Sequence, residues 1–243
     1  MNCYLGDLDL EYLIHIGYSK AGSSFIQSSL ARTDLTKFGV SYPINQKTRA
    51  LATAEQITSG NFWPRAGAME TLIDGFIELR LERLLISSEA IFDIIGAPES
   101  KFIGHLREFF PDAKIKALCF VRDPVDHAVS VHQQKVKRGG YCGSFVDSLP
   151  EYDVISKCRL VFDRLRDAEV SLSVFNYSRH EKSITLKTKN WLGLPSDTLE
   201  TPLVDRVNWS MTRSELKFQL EFSSLALLRH SLLATLCVIN YRA

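Results

Sequence analysis

The stretch that decides the fold runs over residues 12–30 and reads Tyr-Leu-Ile-His-Ile-Gly-Tyr-Ser-Lys-Ala-Gly-Ser-Ser-Phe-Ile-Gln-Ser-Ser-Leu. Its first five residues form a short apolar and partly β-branched run, which predicts a buried parallel strand over 12–16. A glycine-bearing loop over 17–24 follows, and the apolar spacing after it predicts a helix. The order strand, loop, helix turns backbone N–H groups and the positive end of a helix toward one point.

The loop after the first predicted strand combines backbone freedom with positive charge. Gly17 and Gly22 let the backbone approach a ligand closely, because neither carries a Cβ atom. Lys20 adds a full positive charge, and the hydroxyl groups of Ser23 and Ser24 add hydrogen-bond donors. We therefore expect the loop to bind a phosphate or a similar oxyanion. A glycine turn that carries a solvated lysine stays open as the alternative.

The position of the lysine separates this loop from two common nucleotide-binding patterns. Magnesium-dependent nucleotide hydrolases use G-x-x-x-x-G-K-[ST], in which the lysine directly follows the second glycine. Gly17 and Gly22 have this glycine spacing, but Ser23 occupies the lysine position and Lys20 precedes the second glycine. The dinucleotide pattern G-x-G-x-x-G is not present here either. The loop thus favours an anion that is held by protein cations, with no metal.

The composition is that of an ordinary globular protein. The chain has 243 residues, of which 45% are hydrophobic and 23% are charged. This length suits a single α/β domain over 1–243 with a helical C-terminal segment at about 211–243. A net charge of +1 predicts no general attraction to nucleic acid or to an anionic membrane, so any anion site must be local.

Cysteine usage and the two ends of the chain bear on its compartment. The five cysteines are scattered without C-x-x-C spacing, which favours neither a disulfide framework nor a zinc site. The N-terminus carries Asp7, Asp9 and Glu11 and does not have the pattern of a signal peptide. The apolar run over 225–239 is interrupted by charge and is too short to span a bilayer. We expect a reducing, cytoplasmic location.

Apolar runs and helical periodicity alternate along the rest of the chain. Further strands are predicted over 84–89, 115–121 and 170–175, and helices over 70–81, 102–110, 124–138, 153–168, 187–192 and from 212 onward. Such alternation predicts a parallel sheet that is covered on both faces, a three-layer α/β sandwich. Ligands of these sheets bind beyond the carboxyl ends of the strands. Residues 44–66 are polar and loop-rich, and they are expected to form either a substrate-facing loop or a segment that is simply irregular.

A second group of anion-binding residue types lies at the end of the strand predicted over 115–121. Arg122 ends this strand, and Ser130 follows two turns into the next predicted helix. An arginine fork matches a phosphate bidentately, and a serine hydroxyl can complete the contact. A magnesium-using hydrolase would place an aspartate at this strand end. The alternative is a helix start in which Arg122 pairs with a carboxylate.

The two motifs, in this order, resemble those of the sulfotransferase family that uses 3′-phosphoadenosine 5′-phosphosulfate (PAPS). Residues 15–24 are similar to the family's Lys-x-Gly-Ser/Thr-Ser/Thr loop, and residues 120–130 to its strand-end arginine with a serine eight positions later. The resemblance covers residues 10–140 well and the rest loosely. It implies a P-loop-NTPase-like fold. The residues implied for the 5′-phosphosulfate are Lys20, Ala21, Gly22, Ser23 and Ser24, and those for the 3′-phosphate are Arg122 and Ser130.

The chain departs from the family pattern in two places. Ala21 stands where a serine or threonine is common, and the C-terminal Arg-Lys-Gly-x-x-Gly-Asp-Trp segment that closes over the cofactor in cytosolic animal members is missing. The identity of any lid is therefore open. Lys135, Lys137 and Arg138 either supplement the 3′-phosphate contact or form a solvated basic helix end.

The resemblance also implies a catalytic base at the end of the strand over 84–89. Glu89 occupies that place, and a carboxylate there can take the proton of an acceptor hydroxyl. Lys20 would act with it as a catalytic residue by stabilising charge on the leaving phosphate. Glu89 has a structural alternative, in which it caps the next helix or pairs with a cation. His132 is a minor alternative base, whereas His15 lies inside the first strand and is expected to be packed.

The function that the resemblance implies is transfer of the sulfuryl group from PAPS to a hydroxyl or amine, with release of 3′,5′-ADP and without a metal. The acceptor would be a small molecule or a glycan, and neither its identity nor the oligomeric state follows from the sequence. Two other classes stay open. One is a magnesium-dependent nucleoside or sugar kinase, and the other is a non-catalytic nucleotide-binding module.

Overall fold

A five-stranded parallel sheet forms the centre of the computed structural model, which describes residues 9–53, 60–195, 198–200, 212 and 214–221. The strands are β1 (Glu11–Ile16), β2 (Val40–Ser41), β3 (Arg83–Ser88), β4 (Lys114–Val121) and β5 (Ser171–Asn176). Their order in the sheet is β2-β3-β1-β4-β5, and every neighbouring pair is parallel. The prediction of an α/β fold with a central parallel sheet is confirmed.

The middle of the sheet is buried because its strands consist of apolar residues on both faces. In β1, β3 and β4 the central residues are almost fully inaccessible to solvent, as expected for parallel strands with helices on both sides. β5 is one of the two edge strands of the described sheet, with β2 at the other edge, and it is only partly buried. From β1 the chain continues to β2 on one side of the sheet, and from β4 it continues to β5 on the other side. The connections thus leave these neighbouring strands in opposite directions, which creates a crevice between their carboxyl ends.

Helices alternate with the strands along the described part of the chain. Their bounds are α1 (Ser23–Arg32), α2 (Gln46–Thr53), α3 (Ala68–Leu79), α4 (Ala90–Gly96), α5 (Phe102–Phe109), α6 (Pro124–Gly139), α7 (Val154–Asp167), α8 (Tyr177–His180) and α9 (Ile184–Trp191). α1 packs on α2 and α9, and α4 packs on α7. The connections β1–α1–β2 and β3–α4–β4 cross the sheet in opposite directions, so right-handed crossovers place them on opposite faces.

The chain divides into two compact units. One comprises residues 1–123 and 154–208 and contains the whole sheet, and the other comprises 124–153 and 209–243. Within the second unit, the Tyr152 hydroxyl donates to the Pro124 carbonyl at 3.0 Å and lies 3.0 Å from His127 Nδ1. Lys135 forms an ion pair with Glu151 at 2.7 Å in the same unit. The single-domain organisation stays a prediction.

Some features of the sequence fall partly or wholly outside the described residues. A helix over 214–221 is present, and the remainder of the predicted helical C-terminus, including 225–239, lies outside. No helix in the described part of the chain has the length and apolar character needed to cross a membrane.

Helix α2 is the main element that differs from the sequence expectation. Residues 44–66 were expected to be a loop, but 46–53 are helical. The Asn45 side chain accepts a hydrogen bond from the Thr48 amide at 2.8 Å and so caps the first turn. The helix is polar because it packs on α1 with only a small apolar face, which leaves little periodicity to detect.

His15 is packed inside the sheet, as expected. Its side chain is 1% exposed, and Nδ1 lies 2.7 Å from the Ser87 hydroxyl on the neighbouring strand. Burial disfavours the charged imidazolium and lowers the pKa of His15 to about 4. The imidazole is therefore neutral in the folded protein at neutral pH.

Acidification is expected to destabilise the fold through His15. The pKa of His15 in the folded state lies below its ordinary value near 6.5, so between pH 6.5 and 4 the unfolded chain binds the additional proton. Above pH 6.5 His15 is neutral in both states and does not lower the free energy of unfolding. By pH 4 its preferential protonation in the unfolded chain lowers the free energy of unfolding by about 3 kcal/mol. Urea unfolding from pH 7 to 4 measures it. His15→Asn should reduce the slope in this window, and an unchanged slope would contradict the assignment.

Candidate anion site at the ends of β1 and β4

The loop after β1 has the backbone of an anion-binding turn. Lys20 has a φ of +63° and Gly22 a φ of +81°, with Ala21 between them. Alternation of left- and right-handed residues turns successive amides toward one side, which is how backbone nests bind anions. α1 begins directly after Gly22, so the amides of Ser23 and Ser24 are added at the same place, whereas those of Phe25 and Ile26 donate to the Gly22 carbonyl.

The side chains of this loop divide into structural and accessible groups. Ala21 and Ser23 are buried, and the Ser23 hydroxyl donates to the Tyr18 carbonyl at 3.0 Å. Ser23 therefore contributes to an anion site through its backbone amide. Lys20 and Ser24 are half-buried and retain access to solvent.

Arg122 reaches from the end of β4 to the loop after β1. Its Nη1 donates to the Lys20 carbonyl at 3.3 Å. Its Nε–H is buried and has no hydrogen-bond partner among the described residues, so one donor of the fork is unused. The structure thus brings the positive charges of Lys20 and Arg122 to the same edge of the sheet, at the crevice between β1 and β4.

Two residues that the sequence analysis did not include cover this loop. A Cβ atom on Gly22 would lie 2.6 Å from Ile184 Cδ1 and 2.7 Å from Tyr177 Cε2, so both side chains pack on Gly22. The Tyr177 ring also lies 5.9 Å from the guanidinium carbon of Arg122. Tyr177 directly follows β5, and the rule that ligands bind at the carboxyl ends of strands would have indicated it.

Glu89 lies against the start of the same loop. A Cβ atom on Gly17 would be 2.8 Å from the Glu89 backbone, so glycine at position 17 is needed for this close approach. The Ser88 hydroxyl accepts a hydrogen bond from the Ala90 amide at 3.1 Å, and Glu89 makes no capping hydrogen bond. Glu89 is exposed. Ser88, and not Glu89, therefore caps the start of α4, so capping does not explain Glu89.

The remaining predicted site residues belong to α6 in the second unit. Ser130 is buried there, and its convergence with Arg122 on one ligand stays a prediction. His132 is buried between the rings of Tyr141 and Phe145, and its Nε2 lies 3.2 Å from the Gly143 carbonyl. This packing explains His132 without a catalytic role.

The basic end of α6 is solvated. Lys135 pairs with Glu151, whereas Lys137 and Arg138 are exposed in the last turn. Cations in the last turn interact favourably with the negative end of the helix. A solvated basic helix end therefore explains these three side chains without a contact to a 3′-phosphate.

The arrangement at the ends of β1, β3 and β4 suits the binding and transfer of an anionic group. Two cationic residues, Lys20 and Arg122, and the start of α1 lie at this edge of the sheet, with Glu89 next to Gly17. Within the described residues, no three His, Cys, Asp or Glu side chains are grouped so as to hold a metal ion.

Comparisons with known proteins leave the family open. No family model and no curated protein matches the chain. Among solved structures, a sulfotransferase from Alicyclobacillus acidocaldarius is similar, with a TM-score of 0.45 and 17% sequence identity over 92% of this chain and 95% of that chain. This similarity is too low to establish the activity of the chain, which must be argued from its own residues.

Proposed function

We propose that this protein is a sulfotransferase that moves the sulfuryl group of PAPS to a hydroxyl or amine of an acceptor and releases 3′,5′-ADP. The observation that carries the proposal is the hydrogen bond from Arg122 to the Lys20 carbonyl. It joins the two anion-binding motifs at the switch point of the sheet, where a ligand with two separate anionic groups can contact both.

The residues around the loop fit such a ligand. The nest over 20–22 and the first turn of α1 would hold the 5′-phosphosulfate, with Lys20 as its cation. The guanidinium of Arg122 would bind the 3′-phosphate, and Ser130 would complete that contact. Bound PAPS supplies an activated sulfuryl group whose leaving group is a phosphate.

Glu89 supplies the base. The acceptor hydroxyl becomes a competent nucleophile as its proton passes to the Glu89 carboxylate, and the acceptor oxygen gains a bond to sulfur as the bond from sulfur to the phosphate oxygen breaks. Lys20 and the loop amides stabilise the charge that develops on that oxygen. Catalysis then consists of positioning and electrostatics, as in phosphoryl transfer.

The chemistry of the same residues disfavours the kinase alternative. In kinases of the P-loop class a serine or threonine hydroxyl of the loop binds magnesium. Here Ser23 stands where those kinases have the lysine of the loop, and an arginine follows the end of β4. Thermal shift discriminates the two classes, since a ligand at about 100 times its Kd stabilises by about 2.7 kcal/mol. Stabilisation by Mg·ATP and not by 3′,5′-ADP would favour the kinase.

The direct test is release of 3′,5′-ADP from PAPS in the presence of a panel of alcohols and amines. Acceptor-dependent release is expected. Release with none of the acceptors, despite binding of 3′,5′-ADP, would overturn the enzymatic proposal in favour of a non-catalytic nucleotide-binding module.

Replacing Arg122 by alanine is expected to weaken binding of 3′,5′-ADP by about 10- to 100-fold, because charged hydrogen bonds to the nucleotide are lost. Isothermal titration measures the Kd. Arg159→Ala is the matched control, since Arg159 is exposed on α7 and should leave the affinity unchanged. Equal affinities of Arg122→Ala and the unmodified protein would refute the role of Arg122.

A further inference from the structure

A short segment over 60–63 is fixed to the carboxyl end of β3. The Asn61 side chain donates to the Leu85 carbonyl at 2.9 Å and accepts from the Ser87 amide at 2.8 Å. The Asn61 amide donates in turn to the Ser87 carbonyl at 3.0 Å. The segment therefore continues the ladder of β3 where β2, with two residues, has already ended.

The next two residues of this segment point to different environments. Phe62 is buried and packs edge-to-face on Phe102, with 5.6 Å between the ring centroids. Trp63 is 64% exposed, although it is flanked by this anchor and by Pro64. A large aromatic side chain is thus held outward from a backbone that is bonded to the sheet.

The anchored segment brings Trp63 to the edge of the sheet that carries the proposed base. The Phe62 amide contacts the Ser87 carbonyl at 3.4 Å, Trp63 follows Phe62, and Glu89 lies two residues after Ser87. Gly60 passes so close to the Ser87 carbonyl that a Cβ atom would not fit. The backbone over 60–62 is therefore hydrogen-bonded to the strand end that precedes Glu89, and the exposed Trp63 indole follows it.

We propose that Trp63 is a specificity-determining residue that stacks on the acceptor, and that the acceptor alcohol is carried on a flat ring. This inference rests on the proposed sulfotransferase function. An indole face binds the face of an aromatic ring or the apolar face of a pyranose, and a tryptophan side chain has few torsions to fix on binding. A phenol and a sugar share this chemistry, whereas a linear alcohol lacks it.

The test compares steady-state kinetics of the unmodified protein, Trp63→Ala and Trp63→Phe with phenol, methyl glucopyranoside and hexanol as acceptors. Trp63→Ala should raise KM for a ring acceptor by about 3- to 10-fold, with kcat and the KM for PAPS unchanged. Trp63→Phe should restore most of the affinity for phenol, and hexanol should not respond to either change. The two ring acceptors decide between an aromatic and a sugar ligand.

Leu79→Ala is the matched control, because Leu79 is an exposed apolar residue at the amino-terminal end of β3. An unchanged KM for both ring acceptors in Trp63→Ala, or an equal increase for hexanol, would overturn the inference while leaving sulfuryl transfer intact. Quenching of tryptophan fluorescence by the ring acceptors, present in the unmodified protein and lost in Trp63→Phe, reports the contact without turnover. Quenching without 3′,5′-ADP release from any acceptor would instead reject the enzymatic function.

Discussion

Replacing Glu89 by glutamine is expected to lower kcat by ~10²–10⁴-fold, because the amide cannot take the proton of the acceptor. The shape of the side chain is kept, and the backbone contact between Glu89 and Gly17 is unaffected. The Kd for 3′,5′-ADP should therefore stay as it is. Single-turnover release of 3′,5′-ADP, measured at saturating PAPS and acceptor, isolates the chemical step.

A matched variant distinguishes loss of the base from a general effect of removing a carboxylate. Glu78 is exposed near the end of α3, and Glu78→Gln should retain full activity. If Glu89→Gln turned over at the rate of the unmodified protein, Glu89 would not be the base. The proton would then have to pass to another group.

Replacing Lys20 by methionine is expected to lower kcat by ~10²–10³-fold, the usual cost of removing one group that stabilises developing negative charge. Methionine keeps the unbranched stem, and it bears the same left-handed backbone cost at a φ of +63° as lysine does. The loss is thus assigned to the ammonium group. Since Lys20 would also contact the ground-state ligand, a rise in Kd for 3′,5′-ADP should accompany the lower kcat.

Lys47→Met is the control for Lys20→Met, because Lys47 is an exposed lysine on α2, outside the loop that follows β1. A Lys20→Met variant with unchanged kcat would mean that charge on the leaving group is stabilised by the amides alone. Circular dichroism and thermal unfolding should be compared first, so that any loss of the folded state is seen separately from a catalytic effect.

The strands and the positions of the two motifs were predictable because they depend on local signals. The apolar runs over 12–16, 84–89 and 115–121 have long buried side chains on both faces, and their observed bounds agree within one residue. Since parallel strands place their carboxyl ends together, the proximity of the loop after β1 to the end of β4 followed from the fold class.

Other features depend on tertiary structure and could not be found in this way. The hydrogen bonds of Asn61 exist only because β2 ends after two residues, which no local pattern around Asn61 indicates. The contact of Ile184 with Gly22 depends on how the start of α9 returns to the loop. Tyr177, by contrast, was detectable, because it follows the strand that ends at Asn176.

The shortness of β2 leaves one side of β3 without a strand partner along most of its length. Beyond Leu84, one side of β3 would present bare amide and carbonyl groups, the kind of template on which foreign strands assemble into aggregates. The carboxamide of Asn61 occupies these groups at Leu85 and Ser87 with the same donor and acceptor pattern that a peptide unit would supply. The side chain of Asn61, together with the backbone amides of Asn61 and Phe62, thus fills the hydrogen-bonding positions that a longer β2 would occupy.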